Sequence, residues 1–266
     1  VGGLGVGLVC LIFDQHVVGF LVTILAILGS VIFGAIWGII PGYLQEKRGS
    51  HIVITTIMFN FIAAALMVYL LVNVIIEPGQ MSPETRDFAS GVGLVQIHIL
   101  AKYLGLEMAM SPLNLSFIVA LTVSVGFWFL VWRTKFGYEV RSLGHSETAA
   151  IYAGIKVSST IIIVMAISGG LAGLVAINEL LGVHNKLLLG FTAGYGFTGI
   201  AVALMGRNHP FGIFLASLLF GALYQGGTEL DFEFSSITRE MVLLIQGLII
   251  LFSGALAYML NPLVER

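Results

Sequence analysis

Cysteine is almost missing: Cys10 stands alone in an apolar stretch, which excludes an intrachain disulfide and a cysteine-built metal cluster. Charge is scarce too. Asp, Glu, Lys and Arg make up 10% of the chain, against roughly 25% in a soluble domain. The net charge of -2 comes with no basic run, so nothing points to nucleic acid. There is no Gly-x-x-x-x-Gly-Lys-Ser/Thr run, hence no phosphate-cradling loop of that kind and no ATP site built on one. His-Glu-x-x-His and Gly-x-Ser-x-Gly are missing as well, and the six histidines are scattered, with His145 and His209 reading as surface residues. Catalysis by this polypeptide, a metal site and a cofactor of its own are therefore not expected.

What the chain has in abundance is apolar sequence. It is 58% hydrophobic with a mean hydropathy of +1.02, and several stretches pass the ~18 residues that mark a membrane span. The fold class is all-α: a polytopic membrane protein with about seven to eight transmembrane helices, plus a re-entrant or broken helix. Residues 1–13 read as an incomplete first span, lacking the basic start of a signal peptide. Val17 to Leu44 follows, with Gly34, Gly38 and Gly42 forming a ridge for close helix packing and Pro41 expected to kink or end the helix. His51 to Ile76 is the next span. Residues 77–112 form an external loop holding three of the six prolines, with an interfacial or re-entrant helix expected near 93–106. Asn114 to Trp132 and Val157 to Leu181 cross the membrane next, the second with Gly169 and Gly173 as another close-packing pair. Phe211 to Gln225 and Ile237 to Leu260 are the last spans, separated by the loop GGTELDFEFSS with Glu229, Asp231 and Glu233.

Polar groups inside the apolar stretches are few and uncharged: Asn60, Asn178, Gln225 and Gln246. A buried amide without a partner is costly, so such side chains face other helices or a wet cavity. Beside aromatics such as Phe59, Tyr195, Phe197 and Tyr224 they suit a neutral ring-containing solute, and bonding between helices is the competing reading. Gly190, Gly194, Gly196 and Gly199 crowd one apolar stretch. Each weakens a helix by roughly 1 kcal/mol relative to alanine. A broken helix lining a cavity and plain close packing both account for them.

The stretch that organises the rest is the hydrophilic island 134–156, TKFGYEVRSLGHSETAAIYAGIK, between two membrane-length apolar blocks. Ser146 can cap a short helix over SETAAIYA, Glu147 sits at its positive end, and Gly154 is a stop signal. Ala149 with Ala153, and Ala150 with Gly154, share faces four residues apart, leaving a nearly bare flank that another protein can approach. An ordinary cytoplasmic loop is the plainer alternative.

This segment resembles the coupling segment of permease subunits in ABC importers for simple sugars and nucleosides, which reads roughly Gly-x-x-x-Arg-x-x-Gly-x-x-x-x-Ala-Ala-x-x-x-Gly-Ile. Gly137, Arg141, Gly144, Ala149, Ala150, Gly154 and Ile155 fill those places, while His145 and Ser146 replace the usual Asn and Pro. Two further stretches are similar to the nucleoside branch. One is His51 to Ala63, where Ile52 replaces a usual Glu and Phe61 a usual Tyr; the other is Gly194 to Pro210. The resemblance covers about residues 34–260 and implies a single permease domain over 1–266; related permeases carry extra N-terminal helices, so helices before Val1 are expected to be missing from this sequence. It implies a nucleoside importer, or by the alternative branch a ribose-like sugar importer. The implied ATPase-coupling residues are Gly137, Glu139, Arg141, Gly144, Glu147, Ala149, Ala150 and Gly154. The substrate-pathway set is Asn60, Phe59, Asn178, Tyr195, Phe197, Gln225 and Gln246.

The implied partners are a cytoplasmic ABC ATPase that uses ATP and Mg, an extracytoplasmic substrate-binding lipoprotein, the lipid bilayer, and a related but different second permease in a heterodimer. If the island is cytoplasmic, Lys47, Arg48, Arg133, Lys135, Arg141, Lys156, Arg207 and Arg266 lie inside and Arg86, Lys102, Lys186 and Arg239 outside, as the positive-inside rule requires. A non-transport membrane enzyme would need a convergent polar constellation within the bilayer, and none is visible. A membrane scaffold would have no use for the bare-flanked helix.

Overall fold

The structure is a computed structural model that describes residues 1–77, 79–89, 91–103, 113–233, 241, 244–249 and 251–252. In chain order the helices are α1 (Gly2–Phe13), α2 (Gly19–Arg48), α3 (Ile52–Leu70), α4 (Ile97–Tyr103), α5 (Ser116–Arg133), α6 (Lys135–His145), α7 (Glu147–Tyr152), α8 (Val157–Gly173), α9 (Tyr195–Met205) and α10 (Pro210–Glu233). Two widened π-helical segments, Leu71–Ile75 and Ile177–His184, prolong α3 and the span begun by α8. Extended pairing among the described residues is limited to two isolated bridges, Glu84 with Leu188 and Gln96 with Asn114. Five helical segments are long and apolar enough to cross a membrane, and α1 and α9 are shorter apolar helices. The all-α polytopic architecture is thus what the sequence led us to expect, while most of the expected last span, 237–260, lies outside the described residues.

The chain forms two compact units, one of residues 1–122 and 130–193, the other of 123–129 and 194–266. The first is built on an antiparallel seam between α2 and α8. A Cβ on Gly34 would collide with the carbonyl of Gly169, one on Gly169 with the carbonyl of Gly34, and one on Gly173 with the carbonyl of Ser30. Gly38 meets the Met165 backbone and Gly42 its side chain. Without a hydrophobic drive between helices in lipid, dispersion across such bare surfaces holds them together. Helix α1 joins the seam through Gly2 against Gly173 and Gly5 against Gly29.

Pro41, expected to kink or end α2, does not end it: the helix continues past it to Arg48, with Gly49 closing it in the left-handed conformation (φ 64°). Pro41 is buried, and the contacts of Gly38 and Gly42 with α8 clamp the helix on either side of it.

At the end where α1 stops, the loop after α3 folds down as an ordered cap. Thr85 and Leu187 bond reciprocally, backbone N–H to carbonyl at 2.9 Å and Leu187 N–H to Thr85 Oγ1 at 3.0 Å. Phe88 N–H donates to Asn185 and Leu94 N–H to Leu181, both at 2.8 Å, and Phe88 and Val92 enter the core. Arg86 forks onto Asp14, with Nη1 to Oδ2 at 2.7 Å and Nη2 to Oδ1 at 2.8 Å, and Ala89 N–H adds a third donor at 3.0 Å. The helix expected near 93–106 is the shorter α4; residues 104–112 lie outside the described set.

In the second unit α9 packs on α10 through Val202, Ala216 and Phe220. A tight turn joins them. Arg207 and Asn208 take positive φ (52° and 55°), and a Cβ on Gly206 would strike the backbone of Ile213. The GGTELDFE part of the expected loop is helical instead, as α10 runs to Glu233. Within it Gln225 Nε2 donates to Glu229 Oε1 at 3.1 Å, a bond one helical turn apart that offsets the glycine pair.

Candidate functional site

The island folds as two helices, α6 and α7, where spacing pointed only to the second. Helix α5 ends at Arg133, which leaves its last four carbonyls without intrahelical donors. Two of them are supplied from the island. Thr134 Oγ1 donates to the Leu130 carbonyl and accepts from Gly137 N–H at 3.1 Å, so one hydroxyl closes α5 and caps α6. The Arg141 guanidinium reaches back to the Val131 carbonyl. Gly137 lies one turn before Arg141 on the same face, and a Cβ there would collide with the Leu130 and Val131 carbonyls. The Gly-x-x-x-Arg spacing is therefore an elbow: glycine lets α6 start against the end of α5, and arginine holds it there.

Helix α7 matches its sequence signals. Ser146 accepts from Ala149 N–H at 3.3 Å as the N-cap, with Glu147 in the first turn. At the other end Ile155 N–H bonds Ala150 O at 3.0 Å and Gly154 N–H bonds Ile151 O at 2.9 Å, a Schellman closure in which Gly154 takes φ 77°. Ala150 is completely buried and anchors the helix, whereas Ala149, Ile151 and Ala153 are exposed and Tyr152 is 94% exposed. Ile151 and Tyr152 are the apolar projection that spacing did not single out, because only the alanines matched a small-residue pattern.

Between this segment and α8 lies an open cavity of about 340 Å³, lined by Val140, Leu143 and Gly144 of α6, Glu147 of α7, Gln45 of α2, and Thr160, Ile161, Val164 and Met165 of α8. It places the charged end of α2, the elbow and the start of α8 at one end of the first unit. Glu139 is half-buried on α6, and Gly144 is exposed with open space where a Cβ would be.

The residues expected along a pathway are spread over both units. In the first, Phe59 meets Trp37 edge-on with ring centroids 5.6 Å apart, and neighbouring Asn60 is exposed on α3. Trp37 Nε1 is buried with no hydrogen-bond partner among the described residues. Asn178 sits in the π segment after α8, where its Oδ1 accepts from Asn114 Nδ2 at 3.1 Å and Ser116 Oγ at 2.8 Å and its Nδ2 donates to Glu179 at 3.0 Å. That amide ties the start of α5 to the π segment. In the second unit Tyr195 meets Tyr224 edge-on at 6.3 Å, Phe197 is 78% exposed, Gln225 bonds Glu229, and Gln246 is buried. Gly190 and Gly194 take positive φ (75° and 82°) in the non-helical run before α9, while Gly196 and Gly199 of α9 have open space beside them. The glycine-rich stretch thus begins as a break. Among the described residues no group of His, Cys, Asp or Glu could hold a metal ion.

The family described as the branched-chain amino acid transport system / permease component matches residues 1–254. The chain belongs to this permease family. Among curated proteins it is similar to the guanosine ABC transporter permease protein of Bacillus subtilis, 34% identical over 246 residues, which are 91% of this chain and 68% of that one. The nucleoside ABC transporter permease protein NupB of Lactococcus lactis is 30% identical, covering 87% of this chain and 63% of its own length. The glucose ABC transporter permease protein of Haloferax volcanii is also 30% identical, covering 86% and 60%. The permease therefore spans between 60% and 68% of the length of these relatives. No solved structure gives a significant match. With five membrane-length helical segments, the permease is a multi-pass protein of the cell membrane.

The elbow contacts of Thr134 and the Asp14–Arg86 pair were missed by sequence reasoning. A Thr three residues before Gly137, the spacing of an N-cap to the N3 N–H, was a usable signal for the first. Seventy-two positions separate Asp14 from Arg86, and nothing local links them.

Proposed function

We propose that the whole chain acts as one transmembrane domain, the membrane subunit of an ATP-driven ABC importer for nucleosides. The observation that carries this is helix α7: a short, firmly capped helix projecting Ile151 and Tyr152 beside exposed Ala149, in a permease-family chain without a phosphate-binding loop. A separate cytoplasmic ATPase, using ATP and Mg, would take α7 in a groove. Ala149 is available for that contact, whereas Ala150 holds α7 in place from beneath. No covalent step occurs in the chain. ATP-dependent closure of the ATPases would shift the balance between outward-open and inward-open states, and the solute would be released by its differential affinity for them.

Nucleosides are favoured because Tyr195, Tyr224, Phe59 and Trp37 give aromatic faces beside neutral amides, and because the guanosine relative shares more identity (34%) and more of this chain's length (91%) than the glucose relative does (30% and 86%). The sugar reading rests on the glucose relative and on a D-allose permease protein of Escherichia coli, 29% identical. A heterodimer with a related second permease is supported by relatives that occur in pairs. Bacillus subtilis has two guanosine permease proteins, at 34% and 28% identity, and Lactococcus lactis two nucleoside permease proteins, at 30% and 29%. An extracytoplasmic lipoprotein would deliver solute to the face capped by Thr85, Phe88 and Leu94.

Uptake by proteoliposomes holding the complete transporter tests this reading. ATP-driven accumulation of radiolabelled guanosine or another nucleoside is expected, with Asn60→Leu raising KM about tenfold if its amide meets the solute. Accumulation of glucose or ribose with no nucleoside uptake would move the chain to the sugar branch. No ATP-dependent uptake of either would refute the proposal.

A further inference from the structure

We propose that residues 84–89 and 91–97 form a strap that stays shut through the transport cycle, so that the ends of α1, α2 and the π-helical segment Ile177–His184 beneath it move as one body. This rests on the importer reading above and adds where the outer side of the first unit does not open. The strap bonds to the three ends in turn. On α1, Arg86 forks onto Asp14 and reaches the Leu11 carbonyl at 3.3 Å, while Ala89 N–H donates to the same carboxylate. On α2, Gly93 N–H donates to Thr23 Oγ1 at 3.3 Å, and a Cβ on Gly19 would strike the Gly91 carbonyl. On the π segment and the turn after it, Leu94 bonds Leu181, Phe88 bonds Asn185, and Thr85 exchanges two bonds with Leu187. Beside that exchange Lys186 Nζ lies 3.0 Å from Glu84 Oε1, and Gln80 Nε2 donates to the same oxygen at 3.0 Å.

Segments that open as lids have few buried apolar contacts and little to lose by lifting. This one is built the other way. Phe88 and Val92 belong to the same apolar core as Leu4, Val22 and Leu181, and Thr85 is buried. Lifting the strap would bare both apolar side chains and leave the Asp14 carboxylate, itself inaccessible to solvent, without its guanidinium. Beneath the strap the same helices meet backbone to backbone, Gly2 with Gly173, Gly5 with Gly29 and Gly34 with Gly169. Close-packed groups are displaced together. Held at the strap and along their lengths, α1, α2 and the span of α8 with its π segment therefore keep their spacing while the transporter changes state.

The test uses the complete transporter in proteoliposomes with radiolabelled guanosine. Glu84→Cys and Lys186→Cys are bridged by a short, reducible bis-methanethiosulfonate, with Cys10 buried out of its reach. A monofunctional methanethiosulfonate on the same pair is the control. ATP-driven uptake equal to that of the unbridged protein is expected. Uptake lost on bridging alone and regained on reduction would overturn the proposal, because the strap would then have to open. If the cysteine pair fails to fold, or the monofunctional reagent inhibits as well, spin labels decide. They are placed at Val183 with Ile12 and at Val183 with Phe20, side chains that are 53%, 59% and 71% exposed. The separations with and without ATP are expected to agree, and a shift of about 5 Å, one helical turn, in either pair would overturn the proposal. A wild-type transporter without ATP-dependent guanosine uptake would instead strike the nucleoside reading, and the label separations would still decide the strap.

Discussion

Replacing Gly34 or Gly169 with leucine is expected to leave almost no folded protein in the membrane. Each glycine faces the other's carbonyl across the α2–α8 seam, so an added side chain meets backbone that cannot rotate away. Overpacking in an ordinary core costs about 1–3 kcal/mol. Here the helices must separate, and the neighbouring contacts of Gly38 with Met165 and Gly173 with Ser30 go with them. Solubilised yield and Tm measure the effect. Gly196→Ala is the matched control: space is open beside Gly196 in α9, and exchanging glycine for alanine in a helix gains up to about 1 kcal/mol. A Gly34→Leu protein with wild-type Tm would show that the seam does not hold the first unit together.

The second large effect is expected at the Asp14–Arg86 pair. The Asp14 side chain is inaccessible to solvent, and Arg86 supplies two of its three donors. Arg86→Ala would leave a buried carboxylate largely unpaired, a change costing about 3 kcal/mol. It should free the loop that Thr85 and Phe88 otherwise hold against Leu187 and Asn185. The pair also sets a pH dependence. The hydrogen bonds from Arg86 hold the Asp14 carboxyl below its ordinary range, and burial opposes this only in part. The folded form therefore binds the proton less readily than the unfolded chain. The stabilisation is complete above the unfolded value of about 3.9 and is lost as the pH falls through the lower folded value. Thermal unfolding from pH 7 down to pH 3 is expected to show a steeper acid loss for the wild type than for Arg86→Ala. Parallel curves would contradict this role.

The sequence revealed the membrane class and the ends of α7 because both rest on local signals: apolar run length, a capping serine, and a glycine suited to a left-handed closure. It also placed the glycine ridges whose partners the structure supplies, Gly34 with Gly169 and Ser30 with Gly173. The continuation of α2 through Pro41 was hidden, since the packing that holds the helix on both sides comes from a segment more than a hundred residues away. The Gly-Gly pair at 226–227 read as part of a loop because glycine weakens a helix, yet α10 continues through it, with Gln225 bonded to Glu229 one turn on. Arg141 illustrates a subtler difficulty. Its motif was recognisable, but its partner is a backbone carbonyl of α5, and carbonyls carry no sequence signal. The pathway residues were least legible. Asn178 is engaged with Asn114, Ser116 and Glu179, whereas Asn60 is exposed on α3, and the sequence had offered the two as equals.

The most direct test of the central claim, that an ATPase grips this permease through α7, is photo-crosslinking from position 152 in intact cells. A photoreactive amino acid in place of the exposed Tyr152 of α7 is expected to yield an adduct that mass spectrometry identifies as an ABC ATPase subunit. The same group at Phe197 serves as the comparison and should give none. An adduct with an extracytoplasmic protein, or no ATPase adduct in cells where the transporter is assembled and active, would contradict the claim.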